Sequence, residues 1–203
     1  MKILFVKQLF HPEPTARSLD FAMELKRQGH EVQVLTSFPS YPYGKIYSGY
    51  QQKIFHRETM KGIDLIRVPI YPNQSKNGFG RMLNYLSYAF SATFFGLPRV
   101  NKPDVIFAYH GALPVGIPAM IYKLFRGTPI VYDINDLWPE TLAATGMLKN
   151  KFLLRLVEKW CALTYRYVDK ITVLSKGFKT ALINKGVPKD KILTNDCAGP
   201  IVP

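Results

Sequence analysis

Short apolar runs that alternate with stretches of helical spacing constrain this chain more than any other feature. KILFVK (2–7), EVQVLTS (31–37), IDLIRVPI (63–70), DVIFAYH (104–110), TPIVYDI (128–134) and KITVLS (170–175) read as strands, and KIL (191–193) begins another. Between them, 19–30, 78–96, 115–125, 151–168 and 177–186 repeat apolar residues every three or four positions, as helices do. A strand followed by a helix and another strand needs a parallel sheet with right-handed crossovers. The predicted class is therefore α/β, a Rossmann-like parallel sheet with helices on both faces. Residues 38–62, rich in Pro, Gly, Tyr and Lys, read as a long irregular excursion, the kind of loop that often carries function.

With 203 residues the chain can bury a sizeable core, and its composition, 47% hydrophobic and 20% charged, is that of a globular protein. Lys and Arg exceed Asp and Glu by 27 to 14, a net charge of +13. That excess favours polyanions: nucleic acid, an anionic membrane face or phosphorylated small molecules. No RNP, KH or helix-turn-helix pattern supports nucleic acid, so none is expected as a partner. Cys161 and Cys197 lack metal-ligand spacing, which argues against a disulfide framework or zinc site and for a reducing compartment. MKILFVKQLF lacks the pattern of a signal peptide, and no apolar run is long enough to span a bilayer. A cytoplasmic protein, peripheral on a membrane face at most, fits these facts.

In open α/β sheets, ligands bind beyond the carboxyl ends of the strands. Polar clusters fall there repeatedly: His11, Glu13, Thr15 and Arg17; Tyr109 and His110; Asn135, Asp136 and Glu140; Ser175 and Lys176. Each has a plain alternative. Thr15 or Ser18 could cap the next helix, and His110 could be a structural histidine. Asp133 or Asn135 could shape the turn, Asp136 could cap a helix starting near Pro139, and Trp138 could be core. Arg17 near a helix N-terminus is disfavoured by the dipole unless an anion lies nearby. On helix 151–168, Phe152, Leu153, Leu156, Val157, Trp160, Leu163, Thr164 and Tyr167 form the expected apolar face, with Lys151, Arg155, Lys159 and Arg166 opposite. No GxGxxG follows the first strand, and Walker, GxSxG and HExxH motifs are absent.

PEPT, FPSYPYGKIY and DLWPE in combination, with RMLNYLSYAF and DKITVLSKGFKTALINKGVPKDKI, resemble the N-terminal half of family 4 glycosyltransferases, closest to members that build bacterial surface polysaccharides. The resemblance covers essentially the whole chain. It implies the acceptor-side domain of a GT-B fold over 1–194, with 195–203 beginning an interdomain linker and the donor domain absent. The chain would then be a fragment or one half of a split enzyme. Two departures stand out. Thr15, Ala16, Arg17 and Ser18 replace a frequent glycine pair, so Thr15 and Arg17 become the donor-binding candidates. Asn135-Asp136 replaces a frequent His-Asp pair, leaving Asp136 and Glu140 as catalytic candidates and His110, Asn135 and Trp138 as acceptor-binding ones.

The resemblance further implies retaining transfer from a nucleotide sugar to a glycan or lipid-linked acceptor, with no metal and no other cofactor, and an isolated half that is inactive. Arg155, Lys159 and Arg166, with Arg81 and the aromatic helix carrying Tyr85, Tyr88, Phe90, Phe94 and Phe95, suit a peripheral approach to an anionic membrane. The missing half, or a partner chain, would supply the donor site. The rival reading is a non-catalytic module that binds a lipid-linked acceptor or a partner subunit.

Overall fold

In the computed structural model the described residues are 1–15, 18–73 and 78–194, with the backbone alone of His110. They form β1 (Lys2–Val6), α1 (Leu19–Arg27), β2 (Glu31–Ser37), β3 (His56–Met60), β4 (Ile63–Val68), α2 (Gly78–Ser91) and β5 (Val105–His110). After these come α3 (Ile117–Arg126), β6 (Ile130–Ile134), α4 (Glu140–Ala144), α5 (Lys151–Tyr167), β7 (Lys170–Val173), α6 (Lys176–Asn184) and β8 (Ile192–Thr194). The sheet order is β3-β4-β2-β1-β5-β6-β7-β8. All neighbours pair in parallel except β3 and β4.

Period-two alternation assigns each strand residue to a face. On β1, Ile3 and Phe5 enter one core cluster with Leu19 and Ala22 of α1. Leu4 and Val6 enter a larger cluster with Tyr88 of α2, Ala119 and Tyr122 of α3, and Cys161 and Tyr165 of α5. Both faces are thus covered, the Rossmann-like arrangement expected. Burial pushes the Cys161 thiol up to about 11, which makes it a packing residue rather than a reactive one. Cys197 and the expected linker at 195–203 lie outside the described residues.

Three expectations change. The excursion at 38–62 contains β3, an antiparallel edge strand whose residues HRETM alternate in burial but are too polar to register as a strand. The helix at 78–96 is α-helical only to Ser91; a π turn at Ala92–Gly96 and a 3-10 turn at Leu97–Arg99 complete it. The apolar face of α5 is rotated. Cys161, Thr164 and Tyr165 are buried, whereas Phe152, Leu153, Leu156, Leu163 and Tyr167 are exposed. The helix carries more apolar residues than one sheet-facing side can bury, so its outward side interleaves Phe152, Leu156 and Leu163 with Arg155, Lys159 and Arg166.

The entry to α3 depends on close approach. A Cβ on Gly116 would lie 2.7 Å from the hydroxyl of Tyr132, which is fully buried. Gly116→Ala is therefore expected to lower stability by about 1–3 kcal/mol through overpacking. Urea denaturation followed by circular dichroism checks this; an unchanged midpoint would show that the Tyr132 ring yields freely.

Candidate functional site

The strand order turns back on itself between β1 and β5, because the chain builds outward through β2 and β4 before returning. The crevice at the carboxyl ends of those two strands is the topological switch point where ligands of such sheets bind. Lys7 follows β1 directly, is only 2% exposed, and places its ammonium 4.0 Å from the centre of the Tyr109 ring on β5. Gln8 donates to Asn84 Oδ1 (2.6 Å), and Asn84 donates to the Tyr71 carbonyl (2.6 Å). The Tyr88 hydroxyl donates to the Leu35 carbonyl (2.8 Å). These bonds fix α2 against the ends of β1 and β2.

The loops around the crevice are held by two buried charges. The Glu13 carboxylate accepts backbone N–H bonds from Phe10 (3.0 Å), Ser40 (2.8 Å) and Tyr41 (2.8 Å). Burial raises its pKa, while those three bonds and the nearby Arg67 charge work against the rise. Arg67, fully buried, donates to the Glu58 carboxylate (2.5 Å) and to the carbonyls of Ser37 (3.0 Å) and His11 (2.6 Å). The segments after β1 and β2 are therefore locked to each other and to β3 and β4.

Asp136 stands just beyond the end of β6, and burial alone raises its pKa. It is close enough to Tyr85 to help raise the phenol's pKa, which burial chiefly elevates; Tyr41 acts in the same sense and the Arg81 charge in the opposite one. Arg81, Tyr85, Asp136 and Tyr41 thus form one electrostatic cluster at the sheet's carboxyl edge. Arg81 Nε is buried and has no hydrogen-bond partner among the described residues. A phenol with a half-buried guanidinium and a desolvated carboxyl both within electrostatic reach can hold an anionic or hydroxylated ligand. Arg81 and Tyr85 were expected only as part of a membrane-facing helix. Their spacing of four residues, on the first turns of a helix that follows a strand, is the signal that joins them to the site.

The other candidates divide. Asn135 donates to both the carbonyl (3.1 Å) and the carboxylate (3.0 Å) of Asp133, and Thr172 donates to the same carboxylate (2.6 Å). Asp133 and Asn135 therefore shape the turn that presents Asp136. No side chain caps α4, so Asp136 is not its capping residue. Glu140, in the first turn of α4, pairs with Lys185 at the end of α6 (2.5 Å) and acts electrostatically on Cys161 and Tyr165. Trp138 is 4% exposed and belongs to the core, which leaves it packing rather than a face for an acceptor to stack on. Thr15 donates to the Leu9 carbonyl (3.4 Å) within its own turn. Ser18 precedes α1 without a side-chain capping bond and instead accepts from the His11 N–H (2.8 Å). Arg17 and the His110 side chain lie outside the described residues. Arg155, Lys159 and Arg166 are exposed on α5. Of the aromatic residues assigned to a membrane approach, Tyr88 is fully buried, while Phe90 and Phe94 are exposed.

A parallel doubly covered sheet with its polar cluster at the switch point defines a Rossmann-like ligand-binding domain. Residues 14–197 match the glycosyl transferase 4-like domain family, and the chain belongs to that family. It is 26% identical over 202 residues to WcaI of Escherichia coli K12, a protein named as a colanic acid biosynthesis glycosyl transferase. The alignment covers 95% of this chain and 49% of that relative, so the chain spans about half its length. It corresponds to the N-terminal half of a family 4 glycosyltransferase related to surface-polysaccharide enzymes. The fold is similar to that of Anabaena Alr3699/HepE, solved with UDP and glucose (TM-score 0.51, 18% identity, 96% of this chain and 43% of that one). It is equally similar to UDP-N-acetylglucosamine 2-epimerase from Rickettsia bellii (TM-score 0.51, 12% identity, 96% and 44%). These likenesses establish a GT-B-type N-terminal fold.

The burial of Asp136 has a measurable consequence. Its folded-state pKa is raised, so the native state holds the proton more tightly than the unfolded chain. Its contribution to stability is therefore greatest below the unfolded value, about 3.9, and falls as pH rises through the raised folded value. A carboxyl-carbon NMR titration is expected to place the Asp136 midpoint above the ordinary aspartate range. Asp136→Asn is expected to remove that part of the pH dependence of melting. A midpoint at or below the ordinary value would contradict the desolvated position.

Proposed function

We propose that this chain is the acceptor-side half of a retaining glycosyltransferase. It would help move a sugar from a nucleotide-sugar donor to a glycan or lipid-linked acceptor in polysaccharide biosynthesis. The observation that carries the reading is Asp136: a desolvated carboxyl at the end of β6, within electrostatic reach of Tyr85, in a chain of the glycosyl transferase 4-like family. The donor domain would come from the remainder of a longer polypeptide or from a partner chain, as the 49% coverage of the relative supports. Residues 1–194 would form the acceptor-side domain and 195–203 would lead towards the donor domain.

In this reading an acceptor hydroxyl forms the new bond to the anomeric carbon as the bond to the nucleotide diphosphate breaks. The departing phosphate takes the acceptor proton. Charge develops on the sugar ring as in an oxocarbenium ion, and the carboxylate form of Asp136 stabilises it. Thr15 and Arg17 would face the donor phosphates; His110 and Asn135 would contact the acceptor. Glu140 acts at greater remove, through its pair with Lys185. No metal or cofactor enters the scheme. By itself the half is expected to bind acceptor and to turn nothing over.

The test joins this chain to the donor half, in one polypeptide or mixed, and follows sugar transfer. Asp136→Asn is expected to lower turnover about a hundredfold or more, a range typical of lost electrostatic stabilisation, with little change in melting temperature. Near-normal turnover with a lower melting temperature would assign Asp136 a structural role. Turnover by the isolated chain would overturn its status as a half. Acceptor binding without transfer, even with the donor half present, would favour the non-catalytic module.

The reading also places the protein in the cytoplasm, peripheral on the inner membrane face. Support comes from the outward side of α5, where Arg155, Lys159 and Arg166 alternate with exposed Phe152, Leu156 and Leu163. Among the described residues no helix is long and apolar enough to cross a membrane. Each cation near an anionic surface is worth on the order of 1 kcal/mol. Reversing all three charges to Glu is therefore expected to weaken binding to anionic vesicles at least a hundredfold at low salt. Equal binding to neutral vesicles, or no effect of the triple change, would remove the electrostatic basis.

A further inference from the structure

The second half of α5 and the turn that follows α6 enclose a cavity of about 340 Å³. That lies at the lower end of the range for small-molecule sites, roughly 300–1,000 Å³. It shares no residue with the cluster of Arg81, Tyr85 and Asp136. Its apolar walls are Cys161, Ala162, Tyr165, Val187 and Pro188. Cys161, Tyr165 and Val187 are buried and Ala162 and Pro188 exposed, so the walls run from the core to the surface. The Tyr165 hydroxyl is buried with no hydrogen-bond partner among the described residues. The Cys161 thiol is near enough to act on it, but a thiol is a weak acceptor. A buried donor left in that state favours a guest that brings an acceptor.

The charges around the cavity select its occupant. Residues 159–168 and 170–189 supply every lining residue except Glu158, and they contain no Asp or Glu. Arg166 and Lys185 both line the cavity. Lys185 pairs with Glu140 (2.5 Å), its own side chain 23% exposed and that of Glu140 55%. Lys185 and Glu140 both act on the Cys161 thiol, and Glu140 also acts on the Tyr165 hydroxyl, so the pair stands beside the inner wall. The cation belongs to the cavity, whereas the acid that holds it can turn into water without becoming a buried unpaired charge. A cationic guest would meet Arg166 and Lys185, and a neutral one would gain nothing from either. A small anion with a flat apolar body, suited to a wall made by a phenol ring and a proline, matches both parts.

We propose that this cavity is a binding site for a small aromatic carboxylate, whose ring packs on Tyr165 and Pro188 and whose carboxylate takes Lys185 over from Glu140. Glu140 opens α4 four residues after Asp136, so the exchange connects the cavity to the segment that presents that acid. The site itself does not rest on the glycosyl-transfer reading.

Naphthoate, titrated into this chain and followed by amide NMR, is expected to move the signals of Ala162, Lys185 and Gly186 saturably at one equivalent. Naphthylmethanol, its neutral counterpart, should bind about tenfold more weakly, and naphthylmethylamine should not bind measurably. Lys185→Met is expected to weaken naphthoate about tenfold and to leave the alcohol unchanged. Glu140→Gln, which removes the competing acid, should tighten naphthoate about threefold. Ala162→Trp, at an exposed position on α5, should fill the cavity and abolish binding while melting as the parent does. The proposal is overturned if naphthoate does not bind saturably, if the alcohol binds as well, or if folded Ala162→Trp binds normally. Loss of binding in Arg166→Met with Lys185→Met unaffected would overturn the exchange with Glu140. Signals moving at Met82, Leu153 and Trp160 instead would place the ring in the separate apolar groove between α2 and α5, and would overturn the site. None of these readouts requires sugar transfer, so failure of the transferase reading would leave the site standing.

Discussion

The buried guanidinium of Arg67 is the constraint on which the carboxyl edge of the sheet depends. It reaches the Glu58 carboxylate and the carbonyls of Ser37 and His11 while fully excluded from water. A charge so placed is tolerated only when its donors are satisfied, and removing a single partner leaves an uncompensated ion. Glu13 completes the arrangement by taking three backbone N–H groups from two loops. Together they turn the segments after β1 and β2, rich in Pro and Gly and weak in regular structure, into a rigid wall of the crevice.

Helix α2 does three things with one sequence because its sides face different surroundings. Asn84 and Tyr88 bond to the ends of β1 and β2. Tyr85 feels both Arg81 and Asp136 at the sheet edge. Phe79, Leu83, Leu86 and Phe90 are exposed on its outer side. A helix apolar nearly all round would ordinarily be read as buried. Here the apolar excess is divided between the core and surface grooves. The same division on α5 leaves Phe152, Leu156 and Leu163 beside three cations.

Asp136 differs from the other acids near the end of β6 through its surroundings, not its chemistry. Asp133 is satisfied by Asn135 and Thr172, and Glu140 by Lys185. Asp136 has lost water with no charge close enough to offset the loss, which is why its pKa moves upward. Buried groups with shifted pKa values concentrate at functional sites.

Much of this was legible in the residues. The short apolar runs KILFVK and IDLIRVPI, the alternation in EVQVLTS, periodicity near 3.6 in α1 and α5, and the alternation of the two kinds of segment determined the class and the order of elements, because burial on a pleat or a helix repeats with fixed geometry. The DINDLWPE segment declared a polar strand end, and strand ends gather on one edge in any parallel sheet. The HRETM edge strand was not legible, since one paired edge and one exposed face ask for no apolar signal. Nor was the rotation of α5, because several apolar stripes overlap on its surface and only the neighbouring strands select one. Which acid lost its water, and that Tyr85 stands within its electrostatic reach, depended on contacts between positions some fifty residues apart in sequence. Local pattern determines which backbone hydrogen bonds form; desolvation and charge proximity arise only when distant segments meet, and those were decided by the tertiary structure.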